Sequence, residues 1–374
     1  MQKIKKFVPA IVLMITAAVL VVSLSFGSAD DPLIPENDSG NSSVHISETA
    51  SEENEIVGFT GKEYETLPID GDKASKSELR QIVDSDDQDA AAQVSAENAH
   101  VTSDMPTLPN ERITSVLDSE LYSGYACLTD VQTGSVIAEK RMDERFYPAS
   151  LTKLMTALVL IENADDLEAE VTVTQKVYDK VYLEGASVAG FVPGESARLI
   201  DMLYGILLPS GAEAVLSAAD AVFGSEEALV EKMNERAELM GLVNTHFTNA
   251  TGLHDDEHYS SAHDMNTILL EAMKNETFMQ IAQSGSYSVP PTDKHPDGFK
   301  VYSTVFGKLN GRQPESAKIL GGKTGYTLEA MLCLATFAEK NGRLYAAVTL
   351  GAEGTHKTAQ HQVDDALLLY DNYA

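Results

Sequence analysis

The sequence predicts an α+β domain, in which strands from both ends of the domain form one antiparallel sheet and helices lie between them. Three observations support this fold class: a strand pair comes first, apolar helical segments follow, and three strands come near the end. The domain is expected to cover residues 111–374. An acidic segment with few large apolar residues precedes it, and no internal repeat is found.

The first half of the domain alternates strand and helix patterns. The stretch YACLTDVQTGSVIAEK predicts two strands joined by a turn at Gln132, Thr133 and Gly134. A helix is expected from about Pro148, then a strand in AEVTVTQ and a glycine-containing loop in LEGASVAGFVPGE. Helices are expected in ARLIDMLYGILL, EAVLSAADAVFG and SEEALVEKMNERAELMG, and Gly241 ends the last of them.

The end of the domain predicts the rest of the sheet. AKILGGKTGYT, MLCLATFAEKNG and RLYAAVTLGAE have the composition of three antiparallel strands. Asn341-Gly342 is the hairpin signal between the last two strands. A closing helix is expected at about 358–373.

The first 29 residues have the features of an export segment. Three lysines precede an uncharged, mostly apolar run from Phe7 to Phe26, whose length matches a membrane span. Gly27-Ser28-Ala29 resembles a signal-peptide cleavage site. We expect either an uncleaved membrane anchor or a cleaved signal peptide. In both cases the rest of the chain lies outside the cytoplasm, because the lysines stay inside.

Residues 30–110 are expected to form a disordered linker. They contain 19 Asp/Glu and 4 Lys/Arg, so this segment holds a charge of −15 out of the −30 of the whole chain. Such a composition buries too little apolar surface to offset the entropy of ordering, although the sequence near Ser77–Val83 is compatible with a short helix. The negative charge disfavours nucleic acid as a partner.

The helix that begins PASLTKLMTALVLIE carries a serine and a lysine in its first turn. At spacing i, i+3, Ser150 and Lys153 share a helix face. Pro148 is typical of a helix start, and the positive end of the helix dipole favours a developing alkoxide. A lysine with a lowered pKa can remove the proton of a serine hydroxyl. Taken alone, the pair also fits an ordinary solvated first turn.

Two later motifs make catalysis the better interpretation. ILLPSGAEA places Ser210 in a loop between helices, about 60 residues after Ser150, and GGKTGYT places Lys323, Thr324 and Gly325 in a strand about 110 residues further on. A lysine and a threonine on a strand can hold a substrate carboxylate, and the glycine lets substrate lie against the strand edge. This order resembles the penicillin-recognising serine enzymes.

The domain resembles the low-molecular-mass penicillin-binding proteins, which are serine-type D-alanyl-D-alanine carboxypeptidases. The resemblance covers about 135–355. It is carried by YPASLTKLMTALVLIE, LEGASVAGFVPGE, DMLYGILLPSG, MNERAELMGLVNTHFTNATGLHDDEHYSSAHDM and GGKTGYTLEAMLCLA, in that order. It implies the DD-peptidase/β-lactamase-like fold, with a five-stranded antiparallel sheet flanked by helices.

The resemblance also implies the site residues and the substrate. Ser150 would be the acylated nucleophile, Lys153 its general base, and Ser210 the proton relay to the leaving group. The substrate would be the D-Ala-D-Ala end of a peptidoglycan stem peptide, β-lactams would be covalent inhibitors, and no cofactor or metal would be needed. The implied substrate-binding residues are Lys323 and Thr324 for the terminal carboxylate, Gly325, and Tyr326, whose N–H would form the oxyanion hole with that of Ser150.

The chain departs from the family pattern in three ways. Ala212 stands where the middle motif usually has asparagine, and either a water molecule or Glu213 is expected to replace the missing amide near Lys153. VYSTVFGKL lacks the Asn-x-Asn pattern that commonly precedes the KTG motif. The sequence has no second β-rich domain and no C-terminal amphipathic anchor of the kind that many relatives carry, and we therefore expect the anchor at the N-terminus.

Three alternatives to the carboxypeptidase stay open. A class A β-lactamase would need a Glu-x-x-Leu-Asn loop between the second and third motifs, and none is found there. A metallo-carboxypeptidase would use His254, His258 and His263, which a polar surface loop explains equally. A degenerate peptidoglycan-binding or penicillin-binding protein is suggested by Ala212.

The two cysteines, Cys127 and Cys333, are not part of a CxxC motif, and neither a disulfide scaffold nor a zinc ribbon is predicted. In the implied fold one strand separates them, so they lie about 9–10 Å apart. That separation is too large for a disulfide, and both are expected to be small core residues.

Overall fold

The structure, a computed structural model, describes residues 115–117 and 119–374. The predicted export segment, the acidic linker and the short helix near Ser77–Val83 lie outside the described residues. Within the described part of the chain, no helix combines the length and hydropathy that crossing a membrane would require.

The described residues form ten strands and nine α-helices. The strands are β1 (Ser115–Val116), β2 (Tyr125–Asp130), β3 (Ser135–Lys140), β4 (Glu170–Thr172), β5 (Ser196–Arg198), β6 (Ser286–Val289), β7 (Phe299–Tyr302), β8 (Lys318–Thr327), β9 (Met331–Lys340) and β10 (Arg343–Ala352). The helices are α1 (Lys153–Asn163), α2 (Gln175–Leu183), α3 (Leu199–Leu207), α4 (Ala212–Phe223), α5 (Glu226–Leu239), α6 (Ala262–Ala272), α7 (Glu276–Ala282), α8 (Thr304–Leu309) and α9 (His361–Asn372).

The central sheet has six strands in the order β1-β3-β2-β10-β9-β8. Five of them are antiparallel neighbours, as predicted, but β1 adds a sixth strand that pairs parallel to β3. The prediction of five strands was therefore wrong, because the sheet has one additional strand at its edge. The two residues of β1 are too few to show an alternating pattern in the sequence.

The predicted hairpin turns are confirmed. Gly134 between β2 and β3 has a φ of 69°, and Asn341 and Gly342 between β9 and β10 have φ values of 55° and 77°. Positive φ at both central residues is the geometry of a type I′ hairpin turn, which Asn-Gly adopts readily. The last two strands thus pair in the register that their sequence favours.

Each face of the sheet covers a separate core. Cys127 on β2 and Cys333 on β9 face the larger core with α1, α3, α4, α5 and α6, whereas Leu128 and Leu334, their neighbours along the strands, face a smaller core beneath α9. Both cysteines are buried and free, and β10 lies between their strands, as predicted. Asn266 links α6 to the sheet by donating to the carbonyls of Cys127 and Ala346 at 3.0 and 3.1 Å.

Several short elements were not predicted: α2, α6, α7, α8, and the hairpin formed by β6 and β7. These elements matter for the site because they place neighbouring segments beside α4 and β8. The loop after α2 lies against the start of α4, where Ala212 N donates to Ser187 O at 2.8 Å. The start of α8 lies beside β8, where Thr324 Oγ1 donates to Thr304 Oγ1 at 2.8 Å. Because β8 is an edge strand of the sheet, its outer edge faces these segments.

Candidate active site

Ser150 lies in a 3₁₀ turn, Ala149–Thr152, immediately before α1 begins at Lys153. The predicted α-helix start near Pro148 was therefore early by one turn. The reason is local: Ala149 has a φ of 48°, which a regular right-handed helix does not allow. The turn still leads directly into α1, so Ser150 and Lys153 come together as the sequence predicts, with Lys153 Nζ donating to Ser150 Oγ at 3.1 Å.

Two neighbouring groups hold the strained turn in place. Thr152 Oγ1 donates to Ala149 O at 2.8 Å, and the ring of His258 contacts the same hydroxyl through Nε2 at 2.8 Å. His258 Nδ1 accepts from Thr248 N, so Nε2 carries the proton and donates it to Thr152. Burial lowers the pKa of His258 to about 4, which keeps the ring neutral and this tautomer in place near pH 7.

The third support of the turn is Gly252, whose backbone lies against Ala149. Its φ is 79°, and a Cβ on this residue would lie 1.9 Å from Ala149 O and 2.9 Å from Ser150 N. No side chain fits in that gap, so glycine is required for the close approach of the two loops.

We expect Gly252→Ala to lower the free energy of unfolding by at least about 2 kcal/mol. The cost of placing alanine at a positive φ and the cost of the collision with the backbone of Ala149 add to each other. Urea denaturation measures this cost. Gly241→Ala is the matched control, because its φ of 72° is similar but nothing lies within 4 Å of an added Cβ. That variant should lose about 1 kcal/mol. Equal losses would show that the contact with Ala149 is unimportant.

Lys153 is buried and has the environment of a base. Its Nζ donates to Thr251 O at 2.6 Å as well as to Ser150 Oγ. Burial lowers the pKa of Lys153 to about 7, and the carboxylate of Glu213 acts in the opposite direction. A substantial fraction of this amine is therefore neutral near pH 7 and able to accept the serine proton.

Ser210 occupies a strained position in the loop between α3 and α4. Its φ is 73°, it is 5% exposed, and its hydroxyl has no hydrogen-bond partner among the described residues. A non-glycine residue with positive φ and an unpaired buried hydroxyl is costly. Such a hydroxyl is available to a ligand, as its predicted role in proton relay requires.

The KTG motif lies on β8, as predicted. Lys323 is fully buried, its Nζ donates to Thr324 O at 2.9 Å, and burial together with the nearby Lys153 lowers its pKa well below the ordinary value. A Cβ on Gly325 would lie 3.0 Å from Pro148 O, so glycine lets β8 approach the turn that carries Ser150. The ring of Tyr326 lies 4.2 Å from that of His356.

Ser150 lies where two cavities meet. The larger, about 800 Å³, is also lined by Lys153, Thr251 and Tyr326. The smaller, about 90 Å³, is lined by Ser150 and Ser210 together with other residues. Those others include Thr324, Gly325 and Tyr326 of β8, Thr304 and Lys308 of α8, and Ser187, His356 and Gln362. The arrangement suits a long molecule whose reacting bond lies at Ser150 and whose last small unit fills the smaller cavity.

Six of the seven predicted site residues line one or both cavities, and the seventh, Lys323, is fully buried beside Thr324. The sequence interpretation missed several of their neighbours. Asn249 organises the loop that receives Lys153, because its Oδ1 accepts from the N–H groups of Thr251 and Gly252 at 3.1 and 2.7 Å. The Asn-Ala-Thr-Gly sequence is typical of a turn, and this signal could have indicated that Asn249 organises a loop at the site. Lys308 and His356 had no comparable signal, since only the fold brings α8 and the loop after β10 to Ser150.

The three histidines of HDDEHYSSAH do not converge. His258 contacts Thr152 and Thr248, whereas His263 Nδ1 lies 2.8 Å from Asp143. His254 Nε2 lies 3.5 Å from Asp256. The described residues contain no group of three or more His, Cys, Asp or Glu side chains placed to hold a metal ion.

Comparison with known proteins agrees with this geometry. The sequence profile of the D-alanyl-D-alanine carboxypeptidase family matches residues 112–354. The chain belongs to this family. It is 36% identical to D-alanyl-D-alanine carboxypeptidase DacF of Bacillus subtilis over 243 residues, and 30% identical to the D-alanyl-D-alanine carboxypeptidase of Streptomyces sp. (strain K15) over 227 residues. These matches cover 65% and 59% of this chain, and 60% and 77% of the relatives.

Solved structures show the same fold. The crystal structure of the Streptomyces K15 DD-transpeptidase superposes with a TM-score of 0.62 at 26% identity, covering 68% of this chain and 98% of that one. A D-alanyl-D-alanine carboxypeptidase from Mycobacterium tuberculosis superposes with a TM-score of 0.59 at 26% identity, covering 68% of this chain and 92% of that one. The family match over residues 112–354 contains the Ser150 site.

Proposed function

We propose that this family member is a serine D-alanyl-D-alanine carboxypeptidase that removes the terminal D-alanine from peptidoglycan stem peptides. The observation that carries the proposal is the position of Ser150 between the two cavities. The smaller cavity has a volume of about 90 Å³. It therefore accepts a residue as small as D-alanine, and the larger cavity accepts the rest of the peptide.

In this reaction Lys153, in its neutral form, takes the proton of Ser150 Oγ as the oxygen attacks the carbonyl carbon of the penultimate D-alanine. The N–H groups of Ser150 and Tyr326 stabilise the oxyanion. The C–N bond then breaks, a proton reaches the leaving nitrogen through Ser210, and D-alanine departs. Water hydrolyses the ester and returns Ser150 to its hydroxyl form.

The terminal carboxylate of the substrate is held by groups at the smaller cavity. Thr324 and Thr304 supply hydroxyl groups, and Lys308 supplies an ammonium group. Lys323 was predicted to bind the carboxylate directly, but it is fully buried and its amine donates to Thr324 O. We therefore assign Lys308 as the cation at the cavity surface and Lys323 as the support of the strand beneath it.

A degenerate binding protein is the second candidate, because Ala212 replaces the amide of the middle motif. Release of D-alanine from a peptide ending in D-Ala-D-Ala distinguishes the two. We expect the wild type to release D-alanine and Ala212→Asn to change kcat/KM by less than roughly 100-fold, the lower end of the effect of one oxyanion-type donor. Release by the asparagine variant but not by the wild type would show that the natural protein only binds.

We also propose that the first 29 residues export the chain and anchor it to the membrane, with the acidic segment as a tether. The uncharged run from Phe7 to Phe26 behind three lysines supports this location. Mass analysis of the N-terminus in membrane fractions tests it. A mature chain that begins at Asp30 and is released to the medium would refute the anchor, and cytoplasmic protein would refute export.

A further inference from the structure

Glu213 is buried in the first turn of α4, directly after Ala212, yet its carboxylate does not bind Lys153. Its Oε1 accepts from the N–H groups of Ala189 and Gly190 at 2.6 and 2.9 Å. Glu213 is 0% exposed. Of the two expected replacements for the motif amide, Glu213 is therefore wrong as a hydrogen-bond partner of Lys153, and a water molecule stays a prediction. Its hydrogen bonds go instead to the loop after α2.

That loop packs closely against Gly211, the residue before α4 begins. A Cβ on Gly211 would lie 2.6 Å from Ala189 Cβ and 2.8 Å from Ala189 N. Ala212 N donates to Ser187 O, so three backbone groups of the loop are bound by Ala212 and Glu213 together. Ser187 lines both cavities at the catalytic serine. The position of this cavity wall thus depends on the first turn of α4.

The carboxylate also brings a negative charge into the site. Its Oε2 has no hydrogen-bond partner among the described residues. The titratable groups that act on one another here are Glu213 on α4, Lys153 on α1, Lys323 on β8 and the neutral His258 in the loop before α6. Glu213 attracts a proton on Lys153, whereas Lys323 and Lys153 repel each other. Burial raises the pKa of Glu213, and the two loop N–H groups oppose that rise.

We propose that Glu213 is a positioning residue, whose carboxylate oxygen holds the cavity wall that carries Ser187. This proposal rests only on the contacts of the loop. The charge of the same carboxylate is a separate property, and its effect on Lys153 rests on the proposed role of Lys153 in acylation.

Two substitutions separate these effects. Glu213→Gln keeps the length and the accepting oxygen but removes the charge. Glu213→Asp keeps the charge but is one methylene shorter, so it does not reach Ala189 and Gly190. Asp220→Asn, on the exposed end of the same helix, is the matched control for loss of a carboxylate.

The measurements are hydrogen exchange of the loop amides and the pH profile of acylation by benzylpenicillin. We expect Glu213→Asp to speed exchange at Ala189 and Gly190 and to slow acylation roughly 10- to 100-fold through a displaced wall. We expect Glu213→Gln to keep exchange slow and to move the acid limb of the profile down by about 0.5 to 1 pH unit, because Lys153 loses a stabilising charge. Asp220→Asn should change neither.

Unchanged exchange in Glu213→Asp would overturn the positioning of the wall, and an unmoved acid limb in Glu213→Gln would overturn the effect on Lys153. If the aspartate variant does not fold, hydrogen exchange of the wild type tests whether Glu213 holds the cavity wall. Its amides at Ala189 and Gly190 should exchange more slowly than that of Val188, whose residue is 50% exposed, and equal rates would overturn the proposal. Exchange needs no catalysis, so this result stands even if Ser150 is not acylated.

Discussion

Replacement of Ser150 by alanine should abolish covalent labelling by benzylpenicillin and lower the rate of D-alanine release by roughly 10⁴-fold or more. Within residues 119–374, Ser150 alone combines a hydroxyl at the junction of both cavities with a lysine amine 3.1 Å away. The fold should be retained, because the hydrogen bond of the hydroxyl among the described residues is the one with Lys153, and alanine tolerates the turn. Gel or mass detection of the labelled protein gives the result.

Ser288→Ala, on the exposed side of β6, is the control for loss of a serine hydroxyl and should label like the wild type. Ser210→Ala should label more slowly, with the adduct still on Ser150. Labelling that survives in Ser150→Ala, or that maps to Ser210, would refute the assignment of the nucleophile.

Lys153→Met should slow acylation by roughly 10²- to 10⁴-fold, the usual contribution of a general base. Methionine fills the space of the buried lysine stem without a charge to desolvate, so the domain should stay folded. Lys176→Met, an exposed lysine on α2, is the matched control and should acylate at the wild-type rate. A wild-type rate in Lys153→Met would exclude this residue as the base.

The pH dependence of the wild type provides a second test of Lys153. The base acts only when neutral, and its pKa is lowered to about 7 by burial. Acylation should therefore rise with pH through about 7 and level off above it. A rate that is flat from about pH 5 to 9, or that falls as pH rises through 7, would contradict this role.

The sequence was sufficient where a single local signal determines the structure. Asn341-Gly342 predicted a type I′ hairpin, and the three motifs predicted which side chains meet. The contribution of each buried lysine was harder to predict. Lys323 was expected to contact the substrate carboxylate, but its side chain is 0% exposed and its amine donates to Thr324 O, which no sequence signal indicated.

Other features could not be predicted because they depend on contacts between distant segments. The left-handed backbone of Ala149 exists because Gly252, about 100 residues later, leaves room for its carbonyl. The inward direction of Glu213 follows from packing against the loop after α2, which helical periodicity alone does not specify. Lys308 reaches the smaller cavity only because α8 lies beside β8.

The most direct test of the proposed mechanism is intact-mass spectrometry of the full-length protein, quenched at intervals during reaction with a peptide ending in D-Ala-D-Ala. We predict one acyl adduct on Ser150, formed together with one equivalent of free D-alanine and then lost by hydrolysis. Release of D-alanine without an adduct on Ser150, or with sensitivity to EDTA, would contradict the serine mechanism.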